Sequence, residues 1–199
     1  MQDSDTTGSG SGKDSDRDSG GQRDLPAAAD AVTVAEDECG RILAEAVRLR
    51  ENGDREEARG LLVPLSERFP DDAEVAYQTA WVHDTLGLEA EALPYYLRAI
   101  QQPGLSDDDR RGALLGLGST YRVLGRYEEA VASLRDASAE YPDDGALKTF
   151  LAMALYNTGQ PHEAMGILLH LLATTSQDPG ITAYSPAIKH YAKDLDETV

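Results

Sequence analysis

The stretch LLGLGSTYRVLGRYEEAVASLRDA, residues 114–137, decides the fold. Leu114, Leu117, Gly118 and Tyr121 recur at helical spacing. Gly125 interrupts the run, and Ala130, Leu134 and Ala137 resume it. The same phrase is written four times: Gly53/Ala58/Leu62/Leu65, Gly87/Ala92/Tyr96/Ala99, Gly125/Ala130/Leu134/Ala137 and Gly159/Ala164/Leu168/Leu171. The glycines stand 34, 38 and 34 residues apart. Seven residues before each sits a small residue, Ala46, Ala80, Gly118 or Ala152. A fixed period in this range means stacked supersecondary units.

Each glycine lies between two helical patterns. It takes a left-handed backbone at no steric cost, so it ends one helix and turns the chain into the next. The alanine five residues on marks a close approach of two helices, where a larger side chain would force them apart. The small residue before the glycine faces that alanine. One such hairpin cannot bury its apolar face alone, but stacked hairpins share a continuous core.

These residues resemble the tetratricopeptide repeat, from about Ala35 to Thr175. In the third unit Leu114, Leu117, Gly118, Tyr121, Gly125, Tyr127, Ala130, Leu134, Ala137 and Pro142 all match the family pattern. The other units depart from it. Arg55, Glu89 and Pro161 stand where Tyr127 does, His83 replaces Tyr121, and Lys148 takes a usually apolar place. The order of units is similar to a stand-alone bacterial family of short tetratricopeptide proteins. The resemblance implies an all-α superhelix of four helix-turn-helix repeats with a C-terminal capping helix. It also implies protein–protein interaction, with a homodimer as the alternative use.

The domain reading follows in chain order. Residues 1–32 read as a flexible, acidic Ser/Gly-rich tail, whose run from Ser9 to Gly21 has no apolar side chain to bury. Repeats occupy about 39–72, 73–106, 111–144 and 145–178, within a domain of 33–178. Helices are expected from about Thr33, over 54–69, and at 107–124, 127–141, 144–157 and 161–175. Pro70-Asp71-Asp72 returns as Pro142-Asp143-Asp144, and each aspartate pair supplies a helix cap. Pro103-Gly104-Leu105 holds the four extra residues of the long period, an insertion that belongs in a loop. In 179–199, Ser185-Pro186 reads as a helix start. Tyr184, Ile188, Tyr191 and Leu195 share a face, suited to capping the stack or to dimerisation.

The formal net charge of −18 disfavours phosphate backbones and anionic membranes, so neither nucleic acid nor membrane is expected as a partner. The single cysteine, Cys39, permits no internal disulfide and suits a reducing compartment. No apolar run reaches 18 residues, and the N-terminus carries no secretory pattern. The expected location is the cytoplasm.

By the resemblance, first helices line a concave groove. Its inward places are Leu43, Val47 and Arg50; Tyr77, Trp81 and Asp84; Leu115, Ser119 and Arg122; and Thr149, Phe150, Met153 and Tyr156. Such a set of aromatic, arginine and methionine side chains suits a protein or peptide segment with apolar anchors. The structural alternative is that Trp81 and Phe150 pack as core, or that the tail or capping helix fills the groove. The family's carboxylate-clamping mode lacks its lysines and asparagines here. Leu43, Val47, Gln78, Gly112 and Gly116 stand in those places. His83, His162, His170 and His190 show no ligand spacing with each other or Cys39, and no phosphate loop or nucleophile elbow occurs. The expectation is a non-enzyme without cofactor or metal.

Overall fold

A computed structural model describes residues 28–198. Among the described residues there are nine α-helices and no strand. They are α1 Ala28–Asn52, α2 Arg55–Arg68, α3 Ala73–Thr85, α4 Glu89–Gln101, α5 Asp107–Val123, α6 Tyr127–Glu140, α7 Gly145–Asn157, α8 Pro161–Thr175 and α9 Pro179–Tyr191. Each helix packs on the one before and the one after. First helices also touch across repeats, α1 with α3, α3 with α5 and α5 with α7. This is a series of hairpins, not a bundle around one axis.

The local signals act as chemistry requires. Gly53, Gly87, Gly125 and Gly159 have φ of 94°, 73°, 73° and 75°, the left-handed region that turns each hairpin. Asp72 and Asp144 accept from the backbone N–H of Val75 and Leu147 at 2.9 and 2.8 Å, capping α3 and α7. The extra residues at 103–105 lie in the connection from α4 to α5.

The small residues permit close helix approach. Ala46, Ala58, Ala80, Ala92, Ala130 and Ala152 are fully buried. A methyl group on Gly118 would collide with Leu134, so the glycine sets the α5–α6 distance. Leu62, Tyr96 and Leu134 fill the equivalent place in successive hairpins, at 0, 2 and 0% exposure. The buried side chains form three clusters in series along the stack, and Ile100 and Tyr121 pack against both the second and the third.

Two details differ from the sequence reading. Helix α1 begins at Ala28 rather than Thr33; residues 1–27 of the expected tail lie outside the described residues. The last helix starts at Pro179, not at Ser185-Pro186. Asp178 caps it by accepting from Ile181 N–H at 3.0 Å, and proline suits the first helical position. The Ser185 hydroxyl donates instead to the Ala173 carbonyl at 2.8 Å, tying α9 to α8.

That tie fixes how the cap sits. A methyl on Gly166 would meet the Ala192 carbonyl oxygen at 2.7 Å, so Ala192 lies over Gly166 as Ser185 lies over Ala173. Helix α9 therefore runs antiparallel along α8. It touches α8 and not α7. Gly166 and Ala173 correspond to Ala132 and Ala139 of α6, which are exposed on the outer side of the stack. The capping helix covers that outer side. The expected apolar face of Tyr184, Ile188, Tyr191 and Leu195 does not enter the core: Tyr184 and Tyr191 are 70 and 56% exposed, and Leu195 lies beyond the helix.

Candidate functional site

The centre of the groove is built by α3 and α5. Successive turns of α3 present Tyr77, Trp81 and Asp84. The facing turns of α5 present Leu115 and Ser119, and Phe150 closes the far side from α7. Together they bound a cleft of about 300 Å³. Six of the expected groove residues are thus brought to one place. Helix α9 touches only α8, so the cap leaves this cleft free.

The aromatic wall is ordered by its neighbours. The Tyr77 and Trp81 rings stack at 5.5 Å with planes 28° apart. The Arg50 guanidinium of α1 lies 3.4 Å from the Trp81 ring centroid, on the first hairpin's side. Its side chain is only 8% exposed, and burial lowers its pKa from the ordinary arginine value. The stack carries positive charge from the first repeat into the wall of the second.

The polar edge is Asp84. The Tyr96 hydroxyl donates to its Oδ2 at 3.1 Å. Burial raises the Asp84 carboxyl above the ordinary carboxylate range, and the Tyr96 hydrogen bond opposes that rise. Burial pushes the Tyr77 phenol up to about 12 and the Tyr96 phenol above its ordinary value, so both are protonated donors at neutral pH.

Tyr96 lines the cleft too, which the sequence reading missed, beside Gly112 and Gly116, which that reading set along the groove in place of the family's clamp residues. That reading assigned the groove to first helices, whereas Tyr96 belongs to α4. The signal was nevertheless present. A methyl on Gly112 would collide with the Tyr77 hydroxyl, and one on Gly116 with the Tyr96 ring. The two glycines leave a gap in α5 that the two tyrosines fill.

The remaining expected residues fall elsewhere. Leu43 is corrected: it is 7% exposed and packs with Cys39, Ala46, Leu62 and Leu65 inside the first hairpin. Val47 is half-buried on α1. The Thr149 hydroxyl bonds back to the Gly145 carbonyl at 2.7 Å. Arg122, Met153 and Tyr156 line a second hollow of about 320 Å³ with Met165 and Leu168 of α8. A larger hollow, about 580 Å³, lies away from the groove, under residues 192–196 where they cross α8.

The histidines stand apart from the groove. His83 is 3% exposed, donates from Nδ1 to the Thr79 carbonyl at 2.7 Å and stacks on Tyr95. His162 is exposed on α8, 3.2 Å from Asp196. Among the described residues, no group of three or more His, Cys, Asp or Glu is placed to hold a metal ion. Among the same residues, no helix is long and apolar enough to cross a membrane.

Comparison with known proteins places this architecture. The family model described as a tetratrico peptide repeat matches residues 73–195. Among solved structures, YrrB, described as "a TPR protein with an unusual peptide-binding site", is 20% identical over 85% of this chain and 84% of its own, with a TM-score of 0.60. MamA of AMB-1 is 18% identical over 75% of this chain and 85% of its own, with a TM-score of 0.60. PilF of Pseudomonas aeruginosa is 20% identical over 80% and 71%, with a TM-score of 0.58. These identities bear on the fold alone. Among curated proteins there is no match. The family match over more than half its length, the 34-residue period and the stacked hairpins agree, and the chain belongs to the tetratricopeptide-repeat family.

Proposed function

We propose that this protein captures an extended or helical segment of a partner protein in the α3–α5 cleft, as the family's fold is that of a protein-interaction module. The observation that carries the reading is the cleft itself. Tyr77, Trp81 and Phe150 offer apolar area, while Asp84 and Ser119 offer polar handles at its edge. Aromatic side chains with one polar end dominate binding hot spots. The peptide-binding site named for YrrB, a protein of the same fold, supports the reading. No reaction is proposed for this chain. Its acidic surface and single buried Cys39 support work in the cytoplasm.

The test uses Trp81, the only tryptophan in the chain, as a reporter inside the cleft. Peptides selected from a random library against the whole protein should shift Trp81 emission on titration. They should bind the Trp81→Ala variant at least about tenfold more weakly, the loss expected for a central aromatic anchor. Circular dichroism should show that variant to be as helical as the parent. Selected peptides that bind Trp81→Ala equally well would sink the proposal. Loss of helicity would make Trp81 a core residue instead.

A further inference from the structure

Each repeat puts one residue at the same place near the end of its first helix: Arg50, Asp84, Arg122 and Tyr156. The first two find partners inside the molecule. Arg50 lies over the ring of Trp81, and Asp84 accepts from the Tyr96 hydroxyl. Arg122 has neither kind of partner. Where the second repeat meets Arg50 with Trp81, the fourth has Met153 for Arg122. Where Tyr96 meets Asp84, the third repeat has Leu134, which is fully buried and carries no polar atom. Arg122 makes no ion pair among the described residues, and its Nε is buried without a hydrogen-bond partner. A guanidinium so placed is costly until an acceptor completes it.

The surroundings of Arg122 indicate the acceptor. The hollow of about 320 Å³ beside it is walled by Met153, Tyr156, Met165 and Leu168, and no carboxylate lines it. Between Gly145 and Thr175 the chain has one acidic residue, Glu163, which pairs with Arg135 at 2.8 Å. In a chain of net charge −18, Arg122 is the one charged side chain that lines this hollow. A basic or wholly apolar occupant would leave the guanidinium unmet. A carboxylate meets it as a two-pronged, charge-assisted acceptor. Met165, Leu168 and Leu172 stay exposed on α8, so an occupant that also brings apolar area gains by covering them. The methionines let that wall adapt in shape.

The hollow continues the cleft. Ser119 and Phe150 border the cleft, and about one turn further along the same two helices Arg122 and Met153 border the hollow. Packed helices lie about 10 Å apart, which is about three residues of extended chain or about seven of a helix. One bound segment therefore reaches both.

We propose that the segment held in the α3–α5 cleft carries an acidic side chain that Arg122 receives, with an adjoining apolar side chain seated among Met153, Met165 and Leu168. This rests on the segment-capture reading and names the partner's chemistry: an apolar anchor followed, about 10 Å on, by an Asp or Glu beside a second apolar residue. The chain's own run from Ser9 to Gly21 has aspartates but no apolar side chain, so it lacks half of that pattern. The site is also not the family's carboxylate clamp, whose places hold Leu43, Val47, Gln78, Gly112 and Gly116.

Peptides selected from a random library against the whole protein, titrated by calorimetry, test the proposal. They should share an Asp or Glu at a fixed spacing from their apolar anchor. Exchanging that acid for its amide should weaken binding to the parent at least about tenfold, the loss of a charge-assisted pair. The same exchange should cost little against Arg122→Gln, and Arg122→Glu should prefer the peptide with lysine in that place. If either variant misfolds by circular dichroism, Arg122→Lys takes its place; it keeps the charge without the fork and should bind the acidic peptide more weakly than the parent does. Selected peptides with no shared acid, or an amide exchange that costs the parent and Arg122→Gln alike, would overturn the proposal. Capture at Trp81 would then still stand, and the hollow would fall to an apolar cover such as a second copy. Peptides indifferent to Trp81→Ala would instead overturn the capture reading, and this one with it.

Discussion

The guanidinium of Arg50 lies 3.4 Å from the centre of the Trp81 indole, joining the first hairpin to the second at the wall of the groove. The contact is nearly dry, since the Arg50 side chain is 8% exposed. A desolvated cation over an indole is worth roughly 2 kcal/mol. Arg50→Ala should therefore lower unfolding stability by about that amount, measured by urea denaturation. It should also uncover Trp81, seen as a red-shifted emission more readily quenched by acrylamide. Arg50→Lys should fall between the two, because an ammonium lacks the flat face that stacks on the ring. Unchanged Trp81 emission in Arg50→Ala would show that the stack does not exist in solution.

The Tyr96–Asp84 pair predicts a pH dependence. Burial raises the folded-state pKa of Asp84, so the folded protein holds its proton more tightly than the unfolded chain does. Stability contributed at this site then falls as pH rises from the unfolded value through the folded one. Asp84→Asn removes that cost while its side-chain oxygen still accepts from Tyr96. The variant should be more stable than the parent at neutral pH. Its advantage should shrink on acidification through the folded pKa and be gone below the unfolded one. A gain that is equal at acid and neutral pH would contradict the assignment.

Gly118 and Leu134 should behave as a coupled pair. Adding a methyl at Gly118 drives it into Leu134, and such overpacking costs typically 1–3 kcal/mol. Leu134→Ala alone leaves a cavity and should cost about 2–5 kcal/mol. The double variant should lose markedly less than the sum, because the new methyl enters the vacated space. Additive losses in urea denaturation would mean that the two helices do not approach as described.

Cys39 gives a chemical check on the first hairpin. It is 5% exposed in the cluster with Leu43 and Leu62, and burial raises its thiol pKa. The folded protein should resist a thiol reagent such as dithionitrobenzoate, and the unfolded chain should react at once. Rapid labelling under native conditions would show that α1 opens.

The repeat made most of the fold legible. Gly125 and its three equivalents, the capping aspartates 72 and 144, and the helices from α2 through α8 depend on interactions within a few residues. Those signals are written locally, and the period adds four copies of each. The groove was legible in part. Tyr77, Trp81, Asp84, Leu115, Ser119 and Phe150 follow from position within the repeat, and the structure gathers them. Leu43 occupies the same repeat position as Tyr77 yet turns into the first hairpin's core. Tyr96 enters from a second helix because Gly116, twenty residues away, leaves it room.

The sequence by itself determined the number of hairpins, where each one turns, and the side chains offered along the first helix of each. It could do so because a turn glycine, a cap and an apolar period report on their own neighbourhood. Only the tertiary structure decided which offered side chains reach the cleft. It also decided that α9 leans on the outside of α8 and that Met165, Leu168 and Leu172 are left uncovered. Those outcomes depend on which distant element occupies a given face, and that competition is settled by packing between hairpins rather than within one.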